Sequence, residues 1–123
     1  MTTLANALQA VRQRIAQAAA AAGRPAEGIQ LLAVSKTVSA TQVRQAYTAG
    51  QRAFGESYVQ EAVEKIRSLD DLPLKWHFIG PIQSNKTRPI AENFAWVHSL
   101  ERARIADRLA AARPSDLPDL QVC

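Results

Sequence analysis

Long apolar runs are missing from this 123-residue chain. The longest apolar-looking stretch, Ala18 to Ala22, is too short and too weakly hydrophobic to cross a bilayer, which takes roughly 20 apolar residues. No basic region leads into an apolar one near the N-terminus, so no signal peptide and no membrane partner are expected. Cysteine is almost absent as well: Cys123 is the only one, and it is the last residue. That excludes an internal disulfide framework and makes a reducing, cytoplasmic setting the expectation. His77 and His98 are the only histidines, and with one terminal thiol they form a poor ligand set for a structural metal. Charge of one sign is nowhere concentrated. The net charge is +4, but basic residues are spread from Arg12 to Arg113, and aromatics do not interleave with them as stacking platforms. Nucleic acid is therefore not expected as a partner, whereas a basic balance suits a ligand that carries a phosphate.

What is present is the balance of an ordinary globular domain, 47% hydrophobic and 21% charged. One domain with one core, spanning 1–123, is expected. Apolar residues recur at helical spacing from Leu4 through Leu8, Val11 and Ile15, and Gly23 with Pro25 stops that helix at Ala22. Ile29 to Val34 is a nearly continuous apolar run and reads as a strand buried on both faces, as in a parallel sheet. The spacing then predicts a helix over Thr41–Ala49, a short strand over Arg52–Gly55 and a helix over Ser57–Leu69. A strand over Leu74–Gly80, a helix over Ser84–Asn93, a strand over Ala95–Ser99 and a helix over Glu101–Ala112 follow. Leu120 to Cys123 opens what reads as another strand. Such alternation favours a parallel sheet with helices outside it, either an open doubly wound sheet or a (β/α)₈ barrel. A barrel takes about 250 residues, so this pattern of an initial helix, about four βα units and the start of a fifth strand is that of half a barrel.

In parallel α/β folds ligands meet the C-terminal ends of the strands. Leu31-Leu32-Ala33-Val34 delivers Lys36 to such an end. Apolar neighbours there would reduce its hydration and favour the neutral amine that attacks aldehydes, while the commonplace reading of such a residue is a surface lysine at a strand end. The next strands deliver Gly55-Glu56-Ser57, then Gly80 through Lys86, then His98-Ser99, so small and polar residues gather at one edge. Glu56 and Ser57 read equally well as helix caps, and His77, within an otherwise apolar strand, as a satisfied core histidine. Gly80–Thr87 has the spacing of a nucleotide-binding P-loop, with Asn85 in place of the second glycine. Pro81 removes a backbone N–H that a phosphate cradle would use, and no strand ending in a magnesium-binding Asp follows.

Leu31–Thr37, Phe54–Glu61 and Trp76–Lys86, in this order and spacing, together with Val97-His98-Ser99-Leu100, resemble the pyridoxal phosphate homeostasis protein family. The resemblance covers essentially the whole chain. It implies a (β/α)₈ TIM barrel of pyridoxal-phosphate fold type III, similar to the N-terminal domain of alanine racemase, of which this chain carries only the first half. It also implies that pyridoxal 5′-phosphate is held as a Schiff base on Lys36, with Ser57, His77, Asn85 and Ser99 as further candidate contacts. No catalytic turnover is implied. The role is intracellular handling of the cofactor, with pyridoxal-phosphate-dependent apo-enzymes as recipients. Family members are monomers; a half barrel exposes two open sheet edges and invites pairing between copies, or compensation by the N-terminal helix.

Two departures stand out. Ser57 occupies a position where the family has Asn, and the family's phosphate-binding serine, glycine and threonine motifs lie in the half not present, so weak binding is expected. Two alternatives remain open at this point. One is a pyridoxal-phosphate-dependent amino-acid racemase, which would need an acid/base residue opposite Lys36, whereas Tyr47 and Tyr58 are both assigned to helices. The other is nucleotide binding through Lys86.

Overall fold

A computed structural model describes residues 3–123, so Met1 and Thr2 of the expected domain lie outside the described residues. Five helices and five strands alternate after the first helix. They are α1 (Leu4–Ala21), β1 (Ala33–Val34), α2 (Ala40–Thr48), β2 (Ala53–Glu56), α3 (Val59–Ser68), β3 (Lys75–Phe78), α4 (Thr87–Asn93), β4 (Trp96–Val97), α5 (Ala103–Ala112) and β5 (Gln121–Val122). The strands form one sheet in chain order, β1-β2-β3-β4-β5, every neighbouring pair parallel. Chain order with a helix between successive strands is the barrel pattern; a doubly wound sheet reverses its order at a switch point. Among the described residues no helix is long and apolar enough to cross a membrane.

Helix starts and stops follow local chemistry. Thr3 caps α1 by accepting the Asn6 N–H, and Ser39 with Gln42 forms a reciprocal capping box on α2. Gly23 takes φ +69° just beyond α1, where the chain turns left-handed. The predicted helix over Ser84–Asn93 splits into a 3₁₀ turn, Ser84–Lys86, followed by α4. Pro89 has no N–H to give and so belongs in the first turn of the α-helix, which sets the break.

Register assigns the two faces of the sheet. Ala33, Phe54 and Trp76 are partners across β1 to β3, and Glu56, Phe78 and Val97 across β2 to β4. These residues meet the helices. Phe54, Trp76, Phe78 and Val97 are buried with Val43, Ala62, Ile90, Phe94, Ile105 and Leu109 in one cluster. Phe78 meets Phe94 edge-to-face with centroids 5.3 Å apart, an arrangement favoured by the ring quadrupoles. The opposite face carries Val34, Gly55, His77 and Trp96 in register, none of which belongs to that cluster.

That open face corrects the reading of the first strand. Only Ala33 and Val34 of Ile29–Val34 pair with a neighbour, and Val34 is 52% exposed, so β1 is not buried on both faces. It lies at the sheet's edge, with β2 as its one strand partner among the described residues. Among the described residues the outer edges of β1 and β5 pair with no strand, as a half barrel requires. The N-terminal helix packs against α2, with Leu8 and Val43 buried in the same cluster, and Arg12 donates to Ala49 O at 2.9 Å.

Candidate functional site

The C-terminal ends of β1, β2 and β3 open into a cleft of about 670 Å³ lined by Lys36, Ser57, Tyr58, Glu61, Gly80 and Lys86, among others. Lys36 is brought there by a short buried scaffold. The Ser35 N–H donates to Gly55 O at 2.9 Å, extending the β1–β2 ladder one residue past the strand, and Val38 N–H donates back to Ser35 O at 3.0 Å. Residues 35–38 are thus a tight turn with Lys36 second and Thr37 third. Thr37 has φ +63°, a left-handed conformation that a β-branched residue rarely adopts. Its hydroxyl donates to Lys36 O at 2.6 Å, and its N–H donates to Glu61 Oε1 at 2.7 Å.

Beneath this turn lies a buried charge cluster. The Glu56 side chain is fully buried and Lys65 is 6% exposed; Lys65 Nζ donates to Glu56 Oε2 at 2.9 Å. The same ammonium donates to Ser35 O at 2.7 Å and to Glu61 Oε1 at 3.2 Å. The Ser35 hydroxyl donates to the Glu56 carboxylate, while Glu56 Oε1 has no partner among the described residues. Burial pushes the Glu61 carboxyl up, but the Thr37 N–H and the Lys65 ammonium outweigh it and hold the group below its ordinary range. Glu56 is therefore no helix cap: it ends β2 pointing to the helix side. Ser57 is no cap either, because α3 begins at Val59 with Tyr58 at its N-cap position.

Lys36 itself is exposed, not dehydrated by apolar neighbours, because its strand end faces the uncovered side. Neither Lys36 nor Lys86 forms an ion pair among the described residues. Of the candidate contacts, Ser57 shares the cleft with Lys36, whereas His77, Asn85 and Ser99 do not line it. Ser99 donates its hydroxyl to Gly80 O at 2.5 Å and so ties the end of β4 to the end of β3. Asn85 sits exposed in the 3₁₀ turn, lining a separate cleft with Arg88 and Arg108. The P-loop spacing has no matching geometry: the Thr87 hydroxyl donates to Ser84 O at 3.0 Å, and Thr87 is buried. Tyr47 is occupied by the Arg52 guanidinium 4.0 Å above its ring, but Tyr58, expected within a helix, lines the cleft.

His77 is buried mid-strand on the inner face, stacked on Trp96 with centroids 5.5 Å apart and its Nδ1 2.9 Å from His98 Nε2. Burial, then His98 and Lys75, push its pKa down from 6.5 to about 4. Between those values the unfolded chain binds more protons than the folded one, so stability is complete above 6.5 and lost as the pH falls. Urea unfolding is expected to show about 2 kcal/mol less stability at pH 5 than at pH 7. His77→Gln should remove most of that slope; an unchanged slope would place its origin elsewhere.

Sequence reasoning missed Lys65, Glu61 and the position of Tyr58. The i, i+4 spacing of Glu61 and Lys65 signals a pair, but only the fold shows that it closes beneath Lys36.

The chain is similar to known proteins along its whole length. It is 59% identical over 123 residues to the pyridoxal phosphate homeostasis protein of Pseudomonas aeruginosa, covering 100% of this chain and 54% of that protein. With the protein of the same name from Escherichia coli K12 it shares 53% identity over 125 residues, 99% of this chain and 53% of that one. The chain thus spans about half the length of the curated relatives it matches. Among solved structures, PipY of Synechococcus elongatus with pyridoxal phosphate bound superposes with a TM-score of 0.77 at 42% identity, over 89% of this chain and 48% of that one. The same protein without pyridoxal phosphate gives 0.77 at 37% identity, over 98% and 59%. No family model matches the chain.

Proposed function

Because the chain belongs to the pyridoxal phosphate homeostasis protein family and spans about half the length of the relatives it matches, we propose that it binds pyridoxal 5′-phosphate covalently through Lys36 and handles the cofactor without turning over a substrate. The observation that carries this reading is the delivery of Lys36, by β1 and the tight turn after it, into the strand-end cleft. The residues present fit the group. A cleft of about 670 Å³ is within the range of small-molecule sites, and it holds one amine for an aldehyde and a second cation, Lys86, for an anion. Bound pyridoxal phosphate supplies an aldehyde that an amine captures reversibly.

Lys36 serves as the attachment point, and its exposure keeps the amine accessible from solvent. Ser57 and Gly80 line the cleft, and Ser99 bonds to the Gly80 carbonyl from β4's end. Ser99 acts on the cleft only through that carbonyl, and His77 and Asn85 do not line it. Besides Lys36, Lys86 is the cation lining the cleft, so it supplies the anion's counter-charge, and affinity stays low. The chain acts as a single domain in the cytoplasm, passing the cofactor to apo-enzymes that need it.

Pyridoxal phosphate followed by borohydride reduction and peptide mapping is expected to place the adduct on Lys36, with loss of the adduct in Lys36→Ala. Adduct scattered over surface lysines would sink the proposal. One observation favours a second reading: Tyr58, 50% exposed, lines the same cleft, and a phenol near an amine is what an amino-acid racemase would use. The same samples, assayed for racemisation of free alanine, are expected to stay at the buffer rate; turnover lost in Tyr58→Phe would establish the enzyme instead.

A further inference from the structure

We propose that Glu61 is a positioning residue for Lys36, acting through the strained turn at Thr37. The inference rests on Lys36 being the cofactor-attaching amine. The third position of a four-residue turn with positive φ calls for glycine, which has no Cβ to crowd the backbone. Here it is Thr37 at φ +63°, and such a conformation persists only where the surroundings over-determine it. Two groups outside the turn do so. Glu61 Oε1 accepts the Thr37 N–H at 2.7 Å, and Lys65 holds Ser35 O at 2.7 Å on the other side of Lys36.

Lys65 also reaches Glu61 at 3.2 Å, so the two anchors are themselves joined. Lys36 lies between two clamped peptide units, and the direction in which its side chain leaves β1 is fixed by them. Glu61 is the accessible member of the pair: its side chain is 36% exposed, whereas Glu56 and Lys65 are buried. Removing its carboxylate frees the Thr37 N–H without leaving a charge stranded in the core.

The mechanism makes a rescue prediction that packing alone does not. In Glu61→Ala the turn loses its anchor while Thr37 still resists the left-handed conformation, so Lys36 wanders. Glycine at 37 adopts that conformation without an anchor, so Glu61→Ala/Thr37→Gly restores the turn. Glu61→Gln keeps an oxygen for the Thr37 N–H and should behave much like the parent.

The experiment compares equilibrium adduct formation at Lys36 with pyridoxal phosphate in the four proteins, mapped after borohydride reduction at a temperature where circular dichroism shows all folded. Glu61→Ala is expected to weaken the Lys36 adduct about tenfold, with recovery in the double variant. Parent-like adduct in Glu61→Ala overturns the proposal, and so does failure of Thr37→Gly to restore it. Should the parent itself form no Lys36 adduct, the attachment reading fails on its own, and the anchor is judged by hydrogen exchange. A slow Thr37 amide in the parent that becomes fast in Glu61→Ala supports the anchor; fast exchange in both overturns it.

Discussion

Lys65→Met is expected to cost about 3–5 kcal/mol of unfolding free energy. The side chain is 6% exposed and its ammonium faces the fully buried Glu56 at 2.9 Å. Removing the cation leaves a carboxylate in the core with one oxygen, Oε1, that already lacks a partner among the described residues. Only the Ser35 hydroxyl would then remain to solvate it. Native domains of this size hold about 5–15 kcal/mol in total, so the loss is a large fraction of what keeps the chain folded. A pair is worth much less than the damage of breaking it, because its formation also dehydrates both ions. Glu56→Gln/Lys65→Met should therefore recover about 2 kcal/mol relative to Lys65→Met alone. Urea midpoints for the three proteins decide the matter. Equal losses in the single and double variants would mean that the cost is packing and not stranded charge.

The order of elements was legible because helical periodicity and stop signals are local. Leu4, Leu8, Val11 and Ile15 mark one helix face, and Gly23 does end that helix with a left-handed residue. The parallel sheet followed from alternation, and Lys36 from the rule that function gathers where strands end. Which face each strand residue takes was not legible. In parallel strands the apolar run is nearly continuous, so period two carries little signal, and Val34 and Ala33 look alike in sequence although one faces solvent and the other the helices. The roles of Glu56 and Lys65 were hidden for another reason. They are nine residues apart and join only because α3 packs back against the end of β2, a meeting of two successive elements that neither strand nor helix periodicity encodes. Asn85 follows β3 in the sequence much as Lys36 follows β1, but the 3₁₀ turn at Ser84–Lys86 carries it to a different cleft.

Gly80 shows how a motif can be right about the residue and wrong about the reason. In the sequence it reads as the first glycine of a phosphate-binding loop. In the fold, a Cβ at 80 would meet Ser57 O at 2.7 Å, Ser57 Cβ at 2.8 Å and Ser57 Cα at 2.9 Å. Its φ is not in the left-handed region, unlike Gly23 and Gly50, so the requirement is space and not conformational freedom. Gly80→Ala is expected to destabilise the protein by about 2–3 kcal/mol, the upper range for overpacking, because two of the three clashing atoms are backbone and cannot rotate away. Ser57→Gly should rescue little of that loss, since it removes only the Cβ. Gly55→Ala is the control. There the added Cβ meets Ile79 Cδ1 at 3.1 Å and Leu32 Cδ2 at 3.4 Å, the ends of two flexible side chains on the open face. A cost below about 1 kcal/mol is expected at that site. Because Ser57 and Gly80 both line the cleft, Gly80→Ala should also weaken the Lys36 adduct under conditions where the variant is still folded. A variant that unfolds earlier but binds unchanged would confine the glycine's role to packing. One that is neutral in both would show that β2 and β3 can move apart at the cleft, contrary to the close approach of their ends.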